Sequence, residues 1–186
     1  MKLYTDADGV FAVYEREAYI VPPEGGIPLF LQNGIHYFST LQPDMRIINA
    51  YERLQKQYGI DIHIVTNVMD TDPLLKQEHT LDKIQWVQTY MPFINTDTNM
   101  SVITIPKYEA VQQIQKRPLN GLDILISDFN NDLIPWTLAG GYGIKYINGL
   151  NDPDSFTGAN IPEDMSTGMI IETILDIIEQ QSNTAP

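Results

Sequence analysis

The chain has 186 residues, with 24 Asp and Glu against 11 Lys and Arg, a formal net charge of −13 and no cysteine. This length suits one domain with a substantial apolar core. The lack of cysteine excludes a disulfide framework, a thiolate zinc site and a cysteine nucleophile. The negative charge argues against a DNA or RNA partner, because clustered Lys and Arg normally hold phosphate backbones.

No signal segment and no apolar run of membrane-spanning length is visible in the sequence. An apolar strand is predicted to begin at Leu3, too early for a cleaved leader to precede it. We therefore expect a soluble, cytoplasmic protein without a membrane partner.

The first predicted strand delivers two carboxylates, Asp6 and Asp8, into a turn at Gly9. Residues two apart in a strand point to the same side, so the two carboxylates can converge. Their repulsion is relieved by a divalent cation, and a hard one such as Mg²⁺ prefers oxygen ligands. One Asp can then attack an electrophile while the other moves protons. The alternative is an ordinary acidic turn, since Asp-Gly is common in turns.

Residues 15–40 follow no regular period, and Pro and Gly at 22–28 are typical of a loop or hairpin. A connection of this length in a compact domain is often a lid. We predict a small cap or flap over the carboxylate pair. Its aromatic side chains either line a pocket or anchor the flap to the core: Tyr19, Phe30, His36, Tyr37 and Phe38.

The rest of the chain alternates apolar strands with amphipathic helices. Strands are predicted at 3–6, 60–65, 101–105, 123–128 and 143–148, and helices at about 44–58, 80–90, from 107 to before 118, and 165–181. The first helix is expected to bury Met45, Ile48, Tyr51 and Leu54, and the second to bury Leu81, Ile84, Val87 and Met91. Trp86 lies off that stripe and is expected to face a neighbouring element or the flap. The alternation predicts one α/β domain over 1–186, a Rossmann-like three-layer sandwich with a mostly parallel central sheet.

Three polar residues, Asp6, Thr66 and Asp128, each fall at the carboxyl end of a predicted strand. Ligands bind at that edge of a parallel sheet, so we expect an active site there. With Asp8, Lys107 and Asp132, this set has the groups that phosphoryl transfer through an aspartyl-phosphate requires. One lysine and a metal ion can reverse the negative field locally, which admits a small phosphorylated substrate.

Each of these residues also has an ordinary structural explanation. Thr66 can be a simple strand-end hydroxyl, Lys107 a solvated residue at a helix start, and Asp132 the cap of a helix beginning near Leu133. The three histidines are scattered and support neither a catalytic triad nor a three-histidine metal site: His36, His63 and His79.

These stretches resemble the motifs of the haloacid dehalogenase-like hydrolase superfamily, whose members are mostly Mg²⁺-dependent phosphatases. The run 6–10 is similar to the first motif, Asp-x-Asp-Gly-Thr/Val, and Thr66 to the second. Lys107 fits the third motif better than Lys116, which lies late in a helix and close to the next strand. Ser127-Asp128-x-x-x-Asp132 is similar to the fourth motif.

Within that superfamily, the resemblance is closest to the 5′(3′)-deoxyribonucleotidases and their phage and bacterial 5′-nucleotidase-like relatives. It is carried by residues 6–15, 83–87 with 92–93, and 140–145. The chain departs from the nucleotidases at Ser127-Asp128, where they usually carry Asp-Asp. It also departs at 104–107, which lacks the Asp-Lys-Thr pattern of the animal enzymes.

The resemblance implies a role for each residue of the set. Asp6 would be the nucleophile and Asp8 the acid and base, while Thr66 and Lys107 would hold phosphoryl oxygens. Mg²⁺ would be bound by Asp6, the backbone carbonyl of Asp8 and Asp128, with Asp132 binding directly or through water. Two further residues are assigned to substrate binding: Asn67, as an additional donor, and Phe11, which either stacks on a base or sugar or packs in the core.

We therefore predict a Mg²⁺-dependent phosphomonoesterase acting on (deoxy)nucleoside monophosphates. The alternatives are a phosphatase for another small phosphate ester, such as a sugar phosphate, and a non-catalytic protein that binds a phosphate ligand. A phospho-acceptor signalling domain is disfavoured, because its acceptor Asp follows the third strand rather than the first. The sequence leaves a homodimer open.

Overall fold

The computed structural model describes residues 2–14, 36–68, 72–151 and 155–184. Its strands are β1 (Lys2–Thr5), β2 (Ala12–Val13), β3 (Gln42–Pro43), β4 (Asp61–Asn67), β5 (Met100–Ile103), β6 (Asp123–Ser127), β7 (Tyr142–Ile147) and β8 (Ala159–Pro162). Its helices are α1 (Tyr37–Thr40), α2 (Met45–Tyr58), α3 (Pro73–Tyr90), α4 (Thr96–Asn99), α5 (Lys107–Gln115), α6 (Asn130–Leu138) and α7 (Thr167–Thr184).

Six strands form one parallel sheet in the order β5-β4-β1-β6-β7-β8, while β2 and β3 make a separate antiparallel pair. The central strand β1 lies between β4 and β6, with Leu3 opposite Ile62 on one side and Ile124 on the other. The strand order therefore reverses at β1, which is where parallel sheets bind ligands beyond their carboxyl ends.

Helices cover both faces of the sheet, as alternate side chains of β1 illustrate. Leu3 packs into the larger apolar cluster, which α2 and α7 complete. Its neighbour Tyr4 points to the opposite face and packs with Val111 of α5 and Trp136 of α6. The predicted three-layer α/β sandwich is thereby confirmed.

Two predicted helix faces were partly wrong. On α2, Met45 is 48% exposed, and Ile47 is buried beside the correctly predicted Ile48, Tyr51 and Leu54. On α3, which begins at Pro73 rather than near residue 80, Leu81 is 47% exposed. The buried face of α3 runs instead through Lys83, Trp86 and Val87, because residues three and four apart share one side of a helix.

The strand β8 was not predicted, since residues 149–162 indicated a loop. It pairs in parallel with β7 at the edge of the sheet and contains Pro162. Most of the predicted flap, residues 15–35, lies outside the described residues, and of its remainder 37–40 form α1. In the part of the chain that the structure describes, no helix combines the length and apolar character needed to cross a membrane.

Candidate active site

The carboxyl ends of the three middle strands bring the predicted residues together. Asp6 follows β1 directly, and its backbone N–H extends the ladder by donating to the Ile126 carbonyl at 2.9 Å. Thr66 is the second-to-last residue of β4, and Asp128 directly follows β6. Both Asp6 and Asp128 are buried, at 5% and 4% exposure, although they are carboxylates. Burial of such groups requires partners, and each has them.

Lys107, the first residue of α5, forms the centre of a buried cluster on one side of Asp6. Its Nζ donates to Asp6 Oδ2 at 3.0 Å, to Asn67 Oδ1 at 2.9 Å and to Asp132 Oδ2 at 2.6 Å. Ser127 Oγ adds a hydrogen bond of 3.0 Å to the same Asp132 oxygen. The ammonium therefore fixes the orientation of the Asp6 carboxylate.

The charges in this cluster shift two pKa values. Burial raises the pKa of Asp6 to about 7; Lys107 opposes the rise, while Asp132 and Asp8 add to it. Burial alone would lower the pKa of Lys107, but Asp6 and Asp132 outweigh it and raise that pKa above its usual value. Lys107 thus remains a cation, whereas the loss of solvation at Asp6, together with its acidic neighbours, outweighs the effect of Lys107 on the Asp6 pKa.

Asp8 is held on the other side of the site by three donors. Thr66 Oγ1 donates to Asp8 Oδ2 at 2.6 Å, and Lys83 Nζ donates to the same oxygen. The Tyr14 hydroxyl donates to Oδ1. Burial would raise the pKa of Asp8, but Lys83 and the hydrogen bonds of Thr66 and Tyr14 lower it below its usual value. The structure therefore holds Asp8 as a carboxylate.

Asp128 accepts hydrogen bonds from two amide side chains of the connection between β7 and β8. Asn148 Nδ2 and Asn151 Nδ2 donate to Asp128 Oδ2 at 2.8 and 2.7 Å, and Asn148 also donates to the Gly9 carbonyl at 2.7 Å. Lys145 Nζ donates to the Asp128 carbonyl at 2.5 Å. Burial raises the pKa of Asp128 to about 6, against the effect of the two amides.

The turn at Gly9 packs directly against Asp128. Gly9 has φ +70°, and a Cβ built there would lie 2.2 Å from Asp128 Oδ2. Glycine is required twice over, for the left-handed backbone and for the close approach. This contact brings the Asp6-to-Gly9 turn and the end of β6 together.

The donor set at this edge fits a hard divalent cation. Burial raises the pKa values of the Asp6 and Asp128 carboxyl groups in spite of their hydrogen-bond partners, and Mg²⁺ prefers carboxylate oxygens as ligands. Among residues 2–14, 36–68, 72–151 and 155–184, however, no three acidic or histidine side chains are gathered at metal-binding spacing. Asp132 contacts Lys107 and Ser127, and the Asp8 carboxylate contacts its three donors.

The two additional substrate-binding candidates occupy different positions. Asn67 lies at the site, where it accepts from Lys107 and donates to the Ile105 carbonyl at 3.2 Å. Phe11 is fully buried and stacks on Trp86 at 5.6 Å between ring centroids, so the structure places it in the core. Lys116, the competitor of Lys107, is exposed beyond the end of α5.

The predicted flap aromatics that are described lie around α1. His36 Nδ1 contacts Asp82 Oδ1 at 3.0 Å, Tyr37 stacks on Tyr14, and Phe38 packs on Trp86. Trp86 therefore faces the end of the flap segment, as expected, and its Nε1 donates to the Leu41 carbonyl at 2.9 Å. Tyr19 and Phe30 lie outside the described residues.

Apart from Thr66, sequence reasoning missed the residues that hold Asp8 and Asp128. The signal for Lys83 is its position three and four residues before Trp86 and Val87, which puts a lysine on a buried helix face. Three of these residues lie in irregular connections that follow a strand, where no period predicts the direction of a side chain: Tyr14, Asn148 and Asn151.

No protein-family profile matches the chain, and no curated protein matches it. Solved structures do, beginning with D,D-heptose 1,7-bisphosphate phosphatase from B. bronchiseptica complexed with magnesium and phosphate. It is 15% identical with a TM-score of 0.63, over 95% of this chain and 99% of that one. A HAD hydrolase of family IA, variant 3, from Entamoeba histolytica is 13% identical with a TM-score of 0.64, over 95% and 98% of the two chains. A haloacid dehalogenase-like protein from Streptococcus pneumoniae is 11% identical with a TM-score of 0.57, over 93% and 97%. The chain therefore has the fold of the haloacid dehalogenase-like hydrolases.

Proposed function

We propose that the chain is a Mg²⁺-dependent phosphomonoesterase that works through an aspartyl-phosphate on Asp6. The observation that carries the proposal is the contact of Lys107 Nζ with Asp6 Oδ2 at 3.0 Å, between residues 101 positions apart. It places a fixed cation on a buried carboxylate at the strand edge that also holds Thr66 and Asp128. Such a carboxylate, oriented and partly charge-compensated, is suited to nucleophilic attack.

In the first half-reaction, an Asp6 oxygen attacks the phosphorus, and the bond from phosphorus to the leaving oxygen breaks. Asp8 gives the leaving oxygen a proton. Although its three donors hold Asp8 as a carboxylate, the approach of a phosphate dianion raises its pKa, because a nearby negative charge disfavours ionisation. Asp8 therefore takes up the proton that it transfers from solvent as the substrate binds. Lys107 holds the nucleophile in place. The Thr66 hydroxyl and the Lys107 ammonium become donors for phosphoryl oxygens when the substrate replaces one of the partners each has in the free protein, such as Asp8 for Thr66 and Asn67 for Lys107.

In the second half-reaction, water attacks the phosphorus of the aspartyl-phosphate, and the bond to Asp6 breaks. Asp8, again a carboxylate, accepts the proton of the attacking water. Inorganic phosphate leaves and Asp6 is regenerated. The donors around Asp8 suit this half directly, since they favour its unprotonated form.

Asp6, Asp128 and the backbone carbonyl of Asp8 would hold Mg²⁺, with Asp132 binding directly or through water. When bound, the cation screens the negative charges of the carboxylates and the phosphate from each other.

The first candidate substrate class is the (deoxy)nucleoside monophosphates, on the strength of the resemblance in residues 6–15, 83–87 and 140–145. A second candidate is a sugar phosphate, supported by the likeness in fold to a heptose bisphosphate phosphatase. Both are small phosphate esters, in keeping with a net charge of −13 that repels polynucleotides.

Phosphate release from a panel of esters tests the proposal. The panel contains ribo- and deoxyribonucleoside monophosphates, sugar phosphates and p-nitrophenyl phosphate, each assayed with Mg²⁺ and with EDTA. The proposal predicts release with Mg²⁺ that EDTA abolishes, and the preferred group decides between the two substrate classes. The Asp6→Asn variant, purified in parallel, controls for contaminating phosphatase. Folded, Mg²⁺-binding protein that releases phosphate from no ester would favour a non-catalytic binding role instead.

A further inference from the structure

Lys83 is a buried cation on α3 that the reaction described above does not use. The residue is 5% exposed, and its Nζ donates to Asp8 Oδ2 and, at 2.8 Å, to Thr66 Oγ1. A buried ammonium is costly unless it is paired and hydrogen-bonded, so its place on α3 needs a reason beyond packing. Its two partners are the residues assigned to proton transfer and to phosphoryl binding.

Lys83 belongs to a clamp, which is the set of three donors that contact both carboxylate oxygens of Asp8. Lys83 and Thr66 contact Oδ2, and Tyr14 contacts Oδ1. A carboxylate that accepts hydrogen bonds at both oxygens cannot rotate without breaking some of them. Asp8 is therefore restricted to one orientation. Proton transfer is sensitive to such orientation, because the acid must lie within hydrogen-bond reach of the leaving oxygen.

Two donors of the clamp, Lys83 and Tyr14, contact aromatic rings of α1. The ammonium of Lys83 lies 4.7 Å from the ring centroid of Phe38, and Tyr14 stacks on Tyr37 at 5.8 Å. A lysine over an aromatic face is attracted by the ring, so Phe38 helps to fix where the ammonium sits. Two donors of Asp8 are thus positioned by one short helix.

We infer that Lys83 is a positioning residue for the acid and base Asp8, and that it does not itself bind the transferred phosphoryl group. The inference rests on the proposed function. The Lys83 ammonium binds Asp8 Oδ2 and holds the carboxylate facing the position of the leaving oxygen, and the Tyr14 hydroxyl binds the second oxygen, Oδ1.

The difference in rate between a poor and a good leaving group distinguishes a positioning role of Lys83 from a merely structural one. An alkyl alcohol leaves poorly without a proton, whereas p-nitrophenolate leaves well as an anion. Misplacing the acid therefore slows hydrolysis of an alkyl phosphate far more than that of p-nitrophenyl phosphate. General acid catalysis contributes roughly 10²–10⁴-fold, which sets the scale of the difference.

The experiment measures kcat/KM and KM of Lys83→Met, with Mg²⁺, on p-nitrophenyl phosphate and on the best alkyl phosphate of the panel. The ratio kcat/KM reports the phosphorylation of Asp6, in which Asp8 is the acid, whereas kcat also includes hydrolysis of the aspartyl-phosphate, which is common to both substrates. We expect kcat/KM on the alkyl phosphate to fall about 100-fold and kcat/KM on p-nitrophenyl phosphate less than about fivefold, with no rise in either KM. Lys56→Met is the matched control, since Lys56 is an exposed lysine that contacts Glu52 on α2. Tyr14→Phe should show the same selectivity to a smaller degree, and it carries the test if Lys83→Met does not fold.

Equal losses of kcat/KM on both substrates would overturn the inference, and so would a large rise of both KM values, which indicates direct phosphoryl binding. In either case an active wild type leaves the proposed function standing. A wild type that hydrolyses neither substrate overturns both proposals.

Discussion

Replacing Gly9 by alanine should destabilise the protein and lower its activity, because the new Cβ enters the space of Asp128. The Cβ would lie 2.2 Å from Asp128 Oδ2 and 2.8 Å from Asn148 Nδ2, and φ is +70°. Gly59, at the end of α2, is the matched control, since its φ is +67° and no atom lies within 4 Å of its Cβ. Both variants incur the left-handed backbone cost of about 1–2 kcal/mol. Only Gly9→Ala adds the overpacking cost of about 1–3 kcal/mol.

Urea unfolding of the two variants isolates the steric term, because the backbone costs cancel in the comparison. Gly9→Ala should be less stable than Gly59→Ala by about 1–3 kcal/mol. The difference corresponds to a lower melting temperature by roughly 2–4 °C per kcal/mol at this chain length. Phosphate release with Mg²⁺ should fall in Gly9→Ala and stay near wild type in Gly59→Ala. Equal destabilisation with unchanged activity would refute the close approach of this turn to Asp128.

Three further predictions concern the charged residues of the site. Lys107→Met should lower kcat by about 10²–10³-fold, whereas Lys116→Met should leave it unchanged; similar values for the two variants would remove Lys107 from the site. Asp6→Asn should abolish turnover while circular dichroism and Mg²⁺-dependent phosphate binding by calorimetry stay near wild type; retained turnover would exclude Asp6 as the nucleophile. Burial raises the pKa of Asp6 to about 7 and that of Asp128 to about 6, whereas an Asp in the unfolded chain has a pKa of about 3.9. In EDTA, which removes Mg²⁺, the native state therefore binds more protons than the unfolded chain. These two groups should therefore lower the free energy of unfolding as pH rises from about 4 to about 7, and Asp128→Asn should reduce that decline in urea titrations. An unchanged pH slope in Asp128→Asn would contradict the assignment.

The sheet and its acidic strand ends were predictable because they depend on local patterns. The run 124–126 is apolar and the whole of β6 is buried, as expected for a strand covered on both faces. The carboxyl ends of parallel strands lie at one edge, so Asp6, Thr66 and Asp128 could be placed together without knowing the exact strand order. Lys107 followed from the resemblance, because it precedes the Asp128 motif by one helix and one strand.

The other two residues that hold Asp8, Lys83 and Tyr14, were not predictable, since their positions depend on tertiary contacts. The register of α3 is set by Lys83 reaching Asp8 and by Trp86 packing on Phe11, which leaves Leu81 at the surface. Tyr14 follows a two-residue strand, for which no period can be read. The strand β8 was missed because an edge strand tolerates proline and needs little apolar content.

Trapping the phosphorylated enzyme tests the central claim most directly. Wild-type protein and radiolabelled substrate are mixed with Mg²⁺, quenched in acid during turnover, digested, and mapped by mass spectrometry. The account predicts one phosphoryl group on Asp6, sensitive to hydroxylamine as an acyl phosphate should be, and none in Asp6→Asn. Rapid turnover without any phosphorylated enzyme, or a phosphoryl group on another residue, would contradict it.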